Sequence, residues 1–449
     1  MITLIRSLII NTLIAVTLTA TGQDRVVKLS LDEACRLAID SNLKIINARI
    51  ETQKIHFQEA EAKSKLYPTI EGYSDFSYYY AIPRMMMPGE FFGQEGEISV
   101  EIGTKFDWNT GIKASMSLVD LTKLSAIRLA KSMKQMGHLS LEQKKEEIIY
   151  QIHQLYYLSQ STSEQINYLN KNLINTYRLL AIIDEQIKNG VARKIDYANM
   201  LVNKNNLLTR IDNCKKIKGQ QDNTLKYFLG LDQESQIELT DSLSDQTNAP
   251  EVNGPNLSLH TDIRLFDVEL RNAQIKKETV AREYLPSLAA SSQFYYQGQQ
   301  NEFNFFDGRD RLFHVGYVGV SLNVPLFHGF ERLSRIRQSR TEIEQLQNSR
   351  QDAINNLDKE YNNALAEYSN SLRTIHRQQE NIRVAEENYN TSLEQYRQQV
   401  LLLSELILAE NALTEARLSY VEALLQMNNS MLDLKRINGK LISNQQNKK

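Results

Sequence analysis

The sequence predicts a mainly α-helical fold with a smaller β component, repeated once along the chain. Three observations predict it. The 449 residues contain no proline between Pro88 and Pro250 and none after Pro325, which leaves room for very long helices because an interior proline costs about 3 kcal/mol. Short segments with apolar residues at alternate positions predict strands. Landmarks in one half of the chain recur in the other half at an offset of about 210 residues.

Four landmarks carry this repeat, and they keep the same order in both halves. They are a helix-to-strand junction, an alternating segment, a helix turn followed by an acidic residue, and a helix end. The junction Leu66-Tyr67-Pro68 corresponds to Tyr284-Leu285-Pro286, and the helix end Leu229-Gly230 corresponds to Asn438-Gly439. The alternating residues Ile112, Ala114, Met116 and Leu118 correspond to Val320, Leu322, Val324 and Leu326. The turn Gly190-Val191 with Asp196 corresponds to Gln399-Val400 with Glu405. Halves of this length are too long for solenoid units, so they indicate a duplicated domain with pseudo-two-fold symmetry.

The N-terminus has the features of an exported protein. Arg6 precedes an apolar run of about 11 residues, whereas a membrane-spanning helix needs about 20. Residues 1–22 are therefore predicted to be a signal peptide. The first repeat is predicted at 23–260 and the second at 261–442, and a polar tail at 443–449 is predicted to be disordered.

Within each repeat the elements are predicted in one order: a helix, two strands, a long helix and a shorter helix. The first repeat has a helix at 30–66 broken near Ser41-Asn42, strands at about 67–83 and 102–119, a long helix at about 122–188 and a helix at about 194–229. The second has a helix at about 261–284, strands at about 285–298 and 312–327, a long helix at about 330–398 and a helix at about 404–437.

The strands are predicted from alternation. Apolar residues mostly take one face of segment 106–118, and polar residues such as Asp107, Asn109 and Lys113 take the other, which gives one dry and one wet face. The first strand of each pair is rich in Tyr and Phe, residues that concentrate at the interfaces of membrane barrels. The connecting segments 84–100 and 299–311 are predicted to be exposed loops. The run Met85-Met86-Met87 in the first is interpreted as loop sequence rather than a soft-metal site.

The long helices carry a narrow apolar stripe on an otherwise polar surface. In the second repeat it runs from Ile354 to Tyr396, and most of its steps are three, four or seven residues, the spacing of a coiled-coil seam. A helix of about 67 residues is about 100 Å long. The two shorter helices of each repeat nearly reach this length end to end. Each long helix is therefore predicted to lie antiparallel against two short ones, in a rod that ends in the strand pair.

The number of strands predicts an oligomer. Each chain supplies four strands, and an open sheet edge cannot sit in lipid. Two chains would give eight strands, whose interior is filled with side chains. Three chains would give twelve strands and leave a lumen, so a trimer is the smallest assembly that makes a pore.

The ordered set of segments resembles the TolC family of outer-membrane efflux proteins, over essentially the whole mature chain. The resemblance rests on Leu31-Asp32-Glu33-Ala34 with Leu37-Ala38 and Asn42, on Leu66-Tyr67-Pro68, on Val324-Pro325-Leu326-Phe327-His328-Gly329, and on Asn189-Gly190-Val191 with Asp196. It implies a homotrimer whose twelve-stranded β-barrel spans the Gram-negative outer membrane and continues as an α-helical, coiled-coil barrel across the periplasm.

The resemblance also implies a function and partners. Such a channel is the exit duct of a tripartite efflux or type I secretion system and exports small molecules passively. Its periplasmic tips dock on an adaptor, the membrane fusion protein, which an inner-membrane pump of RND or ABC type feeds. Drug efflux, metal efflux and protein secretion share this design, and drug-type efflux is favoured by family frequency alone.

Two helix hairpins are expected at the periplasmic end. Asn189, Gly190 and Val191 resemble the adaptor-docking tip of the family, and Gln399, Val400 and Leu401 form the second tip, where Gln399 stands in place of the usual glycine. The run Val400-Leu401-Leu402-Leu403 is unusually apolar, which favours a protein contact. The alternative is that these leucines pack between neighbouring hairpins.

The resemblance places the aperture of the tunnel at Glu405, Tyr396 and Asp196. Three copies of Glu405 facing the axis would favour cations, because like charges held close raise the pKa of one another and attract positive ions. The next acidic position of the ring is Leu408 here. Tyr396 and Asp196 match positions that bridge neighbouring hairpins, while the arginine that accompanies them is replaced by Leu401.

Other functional classes find no support in the residues. A formal net charge of −2 and no basic stripe argue against nucleic-acid binding. The seven histidines and two cysteines form no metal or nucleophile motif, so no catalytic residue, metal or cofactor is predicted. The alternative function is a periplasmic or secreted coiled-coil scaffold without a pore. That interpretation leaves the paired strands of both halves unexplained.

Overall fold

The structure is a computed structural model, and it describes residues 26–93, 95–243, 254–305 and 312–441. The predicted signal peptide at 1–22 and the polar tail at 443–449 lie outside the described residues. The described chain is mostly helical with a smaller β component, as the sequence predicts.

The two halves of the chain contain the same series of main elements. The first half consists of β1 (Val27–Leu29), α1 (Leu31–Ser41), α2 (Leu43–Ser64), β2 (Thr69–Tyr78), β3 (Arg84–Pro88), β4 (Glu97–Glu101), β5 (Phe106–Val119), α3 (Leu121–Lys188), α4 (Lys194–Leu229) and β6 (Ile237–Leu239). The second half consists of α5 (Thr261–Arg282), β7 (Ser287–Gln300), β8 (Phe313–Asn323), α6 (Glu331–Arg397) and α7 (Leu403–Ile437). In both halves a helical segment leads into a strand pair, a long helix and a shorter helix.

The first helical segment is broken where the sequence predicts, at Asn42. Ser30 begins α1 with a capping box: its hydroxyl oxygen accepts from the Glu33 amide, and the Glu33 carboxylate accepts from the Ser30 amide. The Asn42 side chain donates to the carbonyl oxygen of Phe228 at 2.8 Å and accepts from the Lys44 amide at 2.9 Å. The break therefore has a local cause, because a side-chain amide satisfies backbone groups at the interruption.

The segment 84–100, predicted to be a loop, instead contains a second β-hairpin. Strands β3 and β4 pair antiparallel, and Arg84 forms an ion pair with Glu101 at 2.8 Å across their open end. Met85 and Met87 lie opposite Val100 and Ile98, so these residues share one face. Strand β3 has three consecutive methionines and does not alternate, and β4 alternates over only five residues, so the sequence gives no clear signal for a strand pair here.

The four longer strands form one antiparallel sheet in the order β2-β5-β7-β8. Its central pair joins the two halves of the chain, because β5 of the first half pairs with β7 of the second from Phe106↔Gln300 onward. Strands β2 and β8 are the edges, and neither has an outer partner within the described chain.

The two faces of this sheet differ as the alternation predicts. One face is apolar and exposed; its members include Ile70, Phe76, Ile112, Met116, Phe294, Val318, Val320 and Leu322. The other face is polar and carries residues such as Glu71, Lys113, Gln293 and Ser321. Because Val318 and Val320 are 82% and 65% exposed, the described residues leave the apolar face uncovered at β8.

The chain divides into two compact units that cut across the repeats. One unit comprises Met1–Ile50, Leu139–Arg264 and Gln351–Lys449, and the other comprises Glu51–His138 and Leu265–Arg350. Each unit therefore contains segments from both halves. The second unit holds the four-stranded sheet. Among the described residues, none of the helices is both long and apolar enough to cross a membrane.

The first unit contains three large apolar clusters along its helices. One surrounds the short parallel pair β1–β6, where the buried Tyr156 hydroxyl donates to the carbonyl oxygen of Leu29 at 2.9 Å. A second is formed mainly by α6 and α7 around Tyr361, Tyr368 and Met427. The third lies beside the two helix hairpins and positions the candidate site.

Candidate functional site

The first hairpin, between α3 and α4, turns on Gly190. This residue has φ +75°, the left-handed conformation that glycine adopts with least strain. The amide of Gly190 donates to the Ile187 carbonyl at 3.0 Å, and the amide of Val191 donates to the Gln186 carbonyl at 2.9 Å. These two bonds form a Schellman motif and satisfy carbonyl groups at the end of the long helix.

The second hairpin, between α6 and α7, repeats this turn without a glycine. The amide of Gln399 donates to the Tyr396 carbonyl at 3.0 Å, and the amide of Val400 donates to the Gln395 carbonyl at 2.9 Å. Gln399 takes φ +63°, although a side chain with a Cβ is strained in this region. The sequence repeat therefore reproduces the backbone, and the second turn keeps it at a conformational cost.

An apolar cluster joins the helices of both hairpins. Its buried members are Leu179, Leu180, Ile183, Met200, Tyr389, Tyr396, Leu403, Leu406, Ala409 and Leu413. They come from α3, α4, α6 and α7, so the two hairpins pack together as one body. The apolar stripe predicted from the sequence supplies much of this cluster.

The four apolar residues after Gln399 divide between two roles. Leu403 is buried and Leu401 is half-buried, and both pack in the hairpin cluster. Val400 and Leu402 are 75% and 60% exposed. On the first hairpin Val191 is also half exposed. Part of the run therefore packs inside the hairpin cluster, and part is exposed at the tip.

Tyr396 connects the two hairpins within the chain. Its ring is buried, and its hydroxyl donates to the Oε1 atom of Gln186 on α3 at 3.2 Å. Burial raises the pKa of Tyr396, and the nearby negative charge of Asp196 raises it further. The family resemblance predicts a bridging position for Tyr396, but it does not predict Gln186 as the hydrogen-bond partner.

Asp196 lies in the first turn of α4 and pairs with Arg193. The Nε and Nη2 atoms of Arg193 donate to its two carboxylate oxygens at 3.0 and 2.9 Å. The Asp196 side chain is 16% exposed, whereas that of Arg193 is 70% exposed. Arg193 was not predicted as a site residue; its spacing of three residues before Asp196 is the signal that identifies it.

Glu405 lies in the first turn of α7 and is exposed. A carboxylate in a first turn is stabilised by the positive end of the helix dipole. Leu408, at the next acidic position of the family, is 68% exposed on the following turn. The structure thus leaves the Glu405 carboxylate accessible to solvent.

A buried carboxylate, Glu410, lies beyond Leu408 on α7, and the sequence does not single it out as a site residue. Glu410 is 3% exposed, and neither carboxylate oxygen has a hydrogen-bond partner. Burial raises the pKa of Glu410 to about 7. Burial, and to a smaller extent the charge of Glu410, raise the pKa of Tyr389 on α6 to about 12. The spacing from Leu403 through Leu406 to Glu410 and Leu413 is the seam spacing, which places Glu410 at a core position.

Comparisons with known proteins agree with this architecture. Residues 255–440 match the family model described as outer membrane efflux protein. No protein of curated function matches the chain in a sequence search.

Several solved structures have the same fold. The outer membrane protein VceC from Vibrio cholerae has a TM-score of 0.74 at 13% identity, covering 91% of this chain and 96% of that one. The CmeC outer membrane channel of Campylobacter jejuni has 0.72 at 17% identity, covering 91% and 85%. The MtrE outer membrane channel of Neisseria gonorrhoeae, solved in its open state, has 0.73 at 16% identity, covering 94% of each chain.

Proposed function

The chain belongs to the outer membrane efflux protein family, the TolC family, and from this premise we propose that it is a trimeric exit duct of a tripartite efflux system. The family places it in the outer membrane and is one of channels rather than enzymes. The proposal goes further, to the assembly, the partners and the residues that control passage.

The open edges of the four-stranded sheet are the observation that supports this function. Strands β2 and β8 lack outer partners in the described chain, and unpaired strand edges are not tolerated in lipid. Pairing β8 of one copy with β2 of the next would satisfy both edges. Three copies would close a twelve-stranded barrel with a lumen.

The two faces of the sheet support the same arrangement. The apolar face, with Ile112, Val318 and Leu322 exposed, would meet lipid acyl chains. The polar face would line the lumen and contact water. A sheet with one face toward lipid and one toward water alternates in this way.

The helix hairpins would form the periplasmic end and contact the adaptor. We propose Asn189, Gly190, Val191, Gln399, Val400 and Leu401 as this contact surface. Val191 and Val400 are half or more exposed, and exposed apolar residues at a tip are typical of protein contacts. Leu402 extends the surface, and Leu401 supports it from the hairpin cluster. The adaptor would connect the duct to an inner-membrane pump.

Passage would be controlled where Glu405, Tyr396 and Asp196 lie. The Tyr396–Gln186 hydrogen bond links the two hairpins of one chain beside the apolar cluster that packs them together, and its loss would weaken that link. Exposed Glu405 carboxylates from three copies would concentrate cations at the aperture.

The sheet weighs against the scaffold alternative. In a periplasmic coiled-coil scaffold, an exposed apolar face next to open strand edges would be unfavourable, since such edges promote aggregation in water. CmeC and MtrE are described as outer membrane channels, and we propose small toxic molecules as the cargo of this duct.

The decisive test combines mass with conductance. The protein would be purified in detergent, its mass measured by light scattering, and its current recorded in a planar bilayer. We expect a species of three chains with discrete openings. A stable monomer without conductance would refute the duct and restore the scaffold.

A second test addresses the aperture. Glu405→Ala is expected to lower the cation selectivity of the channel, measured as the reversal potential in a salt gradient. Glu422→Ala, which removes an exposed carboxylate further along α7, is the matched control. Unchanged selectivity in Glu405→Ala would show that Glu405 does not line the aperture.

A further inference from the structure

The polar face of the four-stranded sheet is uneven in side-chain size. Toward the helix end the face is lined by small residues, namely Ser115, Ser117, Ala289, Ser291, Gly319 and Ser321. At the next level toward the connecting loops the side chains are large. We name this level the tyrosine belt, and it consists of Glu71, Tyr73, Lys113, Gln293, Tyr295 and Tyr317.

Strand register places four belt residues side by side across the whole sheet. Glu71 pairs with Lys113, Lys113 pairs with Gln293, and Gln293 pairs with Tyr317. Because paired residues of adjacent strands share a face, this row runs from edge strand β2 to edge strand β8 without interruption. In a closed barrel of three copies the strands would be tilted, so the three rows would form an oblique ring, stepped along the barrel axis, rather than a level one.

Contacts between belt residues hold the side chains in place. The Tyr317 hydroxyl donates to Gln293 Oε1 at 2.9 Å, and Gln293 Nε2 donates to the Tyr73 hydroxyl. The Lys113 ammonium lies 3.1 Å from a Glu71 carboxylate oxygen and 6.0 Å from the centre of the Tyr73 ring. The belt is thus a connected network that links all four strands.

Gly111 makes room for the two tyrosines on β2 and β7. It pairs with both Tyr73 and Tyr295, whose ring centres are 6.5 Å apart. A Cβ placed on Gly111 would fall 2.4 Å from the Tyr295 Cβ and 2.3 Å from the Phe294 carbonyl oxygen. Only glycine fits this close approach, so the tyrosine pair depends on Gly111.

The charges of the belt compensate each other. Glu71 and Lys113 neutralise one another in each copy, and the remaining members are tyrosines and a glutamine. Such a ring discriminates by size, hydrogen bonding and aromatic contact rather than by net charge. It differs in this respect from a ring of Glu405 carboxylates, which attracts cations.

We propose that the tyrosine belts of the three copies project into the sheet-enclosed lumen and limit the size of the solutes that pass. The inference rests on the proposed trimeric duct with its polar face inward. Tyr73, Gln293 and Tyr317 are the residues that determine the limit, and compact solutes able to contact aromatic rings are the class that it admits.

The test uses a reporter thiol on the helix side of the belt. Ser321 lies there, exposed on the polar face of β8. Ser321→Cys would be made in a Cys214→Ser background, with buried Cys35 retained. The purified trimer would be treated with maleimides of increasing size, and the labelling rate would be measured by mass shift.

We expect large maleimides to label the reporter thiol slowly in the parent trimer and at least about tenfold faster after Tyr73→Ala with Tyr317→Ala. The single change Tyr317→Ser is a milder version, because Tyr317 is 52% exposed and contributes little packing. Tyr296→Ala is the matched control, since it removes the same side chain from the opposite face of β7. The control should keep the size limit of the parent.

The outcomes distinguish failure of the proposed size limit at the belt from failure of the proposed duct. A trimer whose size limit is unchanged by both belt variants would overturn the belt and leave the duct intact. A monomer in which maleimides of all sizes label the reporter thiol at similar rates would overturn the proposed duct, and the belt with it.

Discussion

The first hairpin, around Gly190, and the second, around Gln399, end their long helices with the same pair of backbone hydrogen bonds, but they are stabilised differently. The first has a glycine in the left-handed position and an ion pair from Arg193 to Asp196. The second has a glutamine at φ +63° and buries Leu403 in the hairpin cluster. The two turns thus share one backbone geometry. Turn residues stabilise it in the first hairpin, and apolar packing stabilises it in the second.

The following helices differ as well. Leu201 on α4 is 37% exposed, whereas Glu410, at the matching offset on α7, is 3% exposed. An apolar residue therefore faces outward in the first copy where a carboxylate is buried in the second. A buried, unpaired carboxylate is costly when charged, so the second of these helices has a pH-sensitive position that the first lacks.

The largest expected effect tests this difference at Glu410. Its folded-state pKa of about 7 exceeds the ordinary 4.5, so the protonated form favours folding. That stability is fully present below about pH 4.5 and is lost as pH rises through about 7, a change of about 3 kcal/mol. Glu410→Gln should remove this contribution, so that the thermal stability of the detergent-solubilised variant falls less than that of the parent between pH 5 and 8 and is higher than that of the parent at pH 8. Glu422→Gln is the control; an equal pH response in Glu410→Gln and the parent would contradict the assignment.

Gly190→Ala should destabilise the first hairpin by about 1 kcal/mol, because an L side chain is strained at φ +75°. No atom lies within 4 Å of the added Cβ, so the cost is conformational only. Gly219→Ala, within α4 and with similarly open space, is the control and should be neutral or stabilising. Denaturant midpoints would measure both; an unchanged midpoint for Gly190→Ala would show that the turn is not strained.

Tyr396→Phe removes the hydroxyl that connects the second hairpin to Gln186. Loss of one such hydrogen bond should cost about 1 kcal/mol, and in the bilayer it should increase the fraction of time that the channel is open. Tyr389→Phe keeps the same ring type on the same helix and is the comparison variant. If Tyr396→Phe leaves both unfolding and open probability unchanged, the bond does not hold the hairpins together.

Gln399→Gly is the smallest expected effect and has the opposite sign to Gly190→Ala. Relief of strain should outweigh the greater freedom of the unfolded chain and stabilise the hairpin by about 0.5 kcal/mol. The combined variant of Gly190→Ala and Gln399→Gly exchanges the two turn types and serves as the additivity control. Destabilisation by Gln399→Gly would mean that the glutamine side chain has a contact that offsets its strain.

Much of the fold was predictable because its signals are long and repeated. Proline-free stretches and seam spacing predicted helices α3 and α6, and alternation predicted β5 and β8, since these patterns extend over many residues. The β3–β4 hairpin was missed because β3, with three consecutive methionines, does not alternate and β4 is only five residues long. The break at Asn42 was predictable because an asparagine follows Ser41 where the helical pattern is interrupted.

The candidate site was less predictable, because its contacts join distant segments. Tyr396 and Asp196 were identified by position, but Gln186 could not be, since it lies on a different helix from Tyr396 and belongs to no motif. Glu410 was hidden by its type: a carboxylate is ordinarily taken as a surface residue. Only its place in the seam reveals burial. The belt required the strand register, which neither composition nor spacing supplies.

The pairing of β5 with β7 has a consequence for synthesis and export. Residues 106–119 cannot complete the centre of the sheet until residues 287–300 have been translated and moved across the inner membrane. Until then β5 has an exposed edge in an aqueous compartment, where unpaired strands associate with one another. Contacts of such large sequence separation also form slowly. A chain interrupted between the two halves would therefore leave an aggregation-prone half-sheet that periplasmic chaperones and proteases would bind. The second half of the chain thus covers the exposed strand edge of the first half.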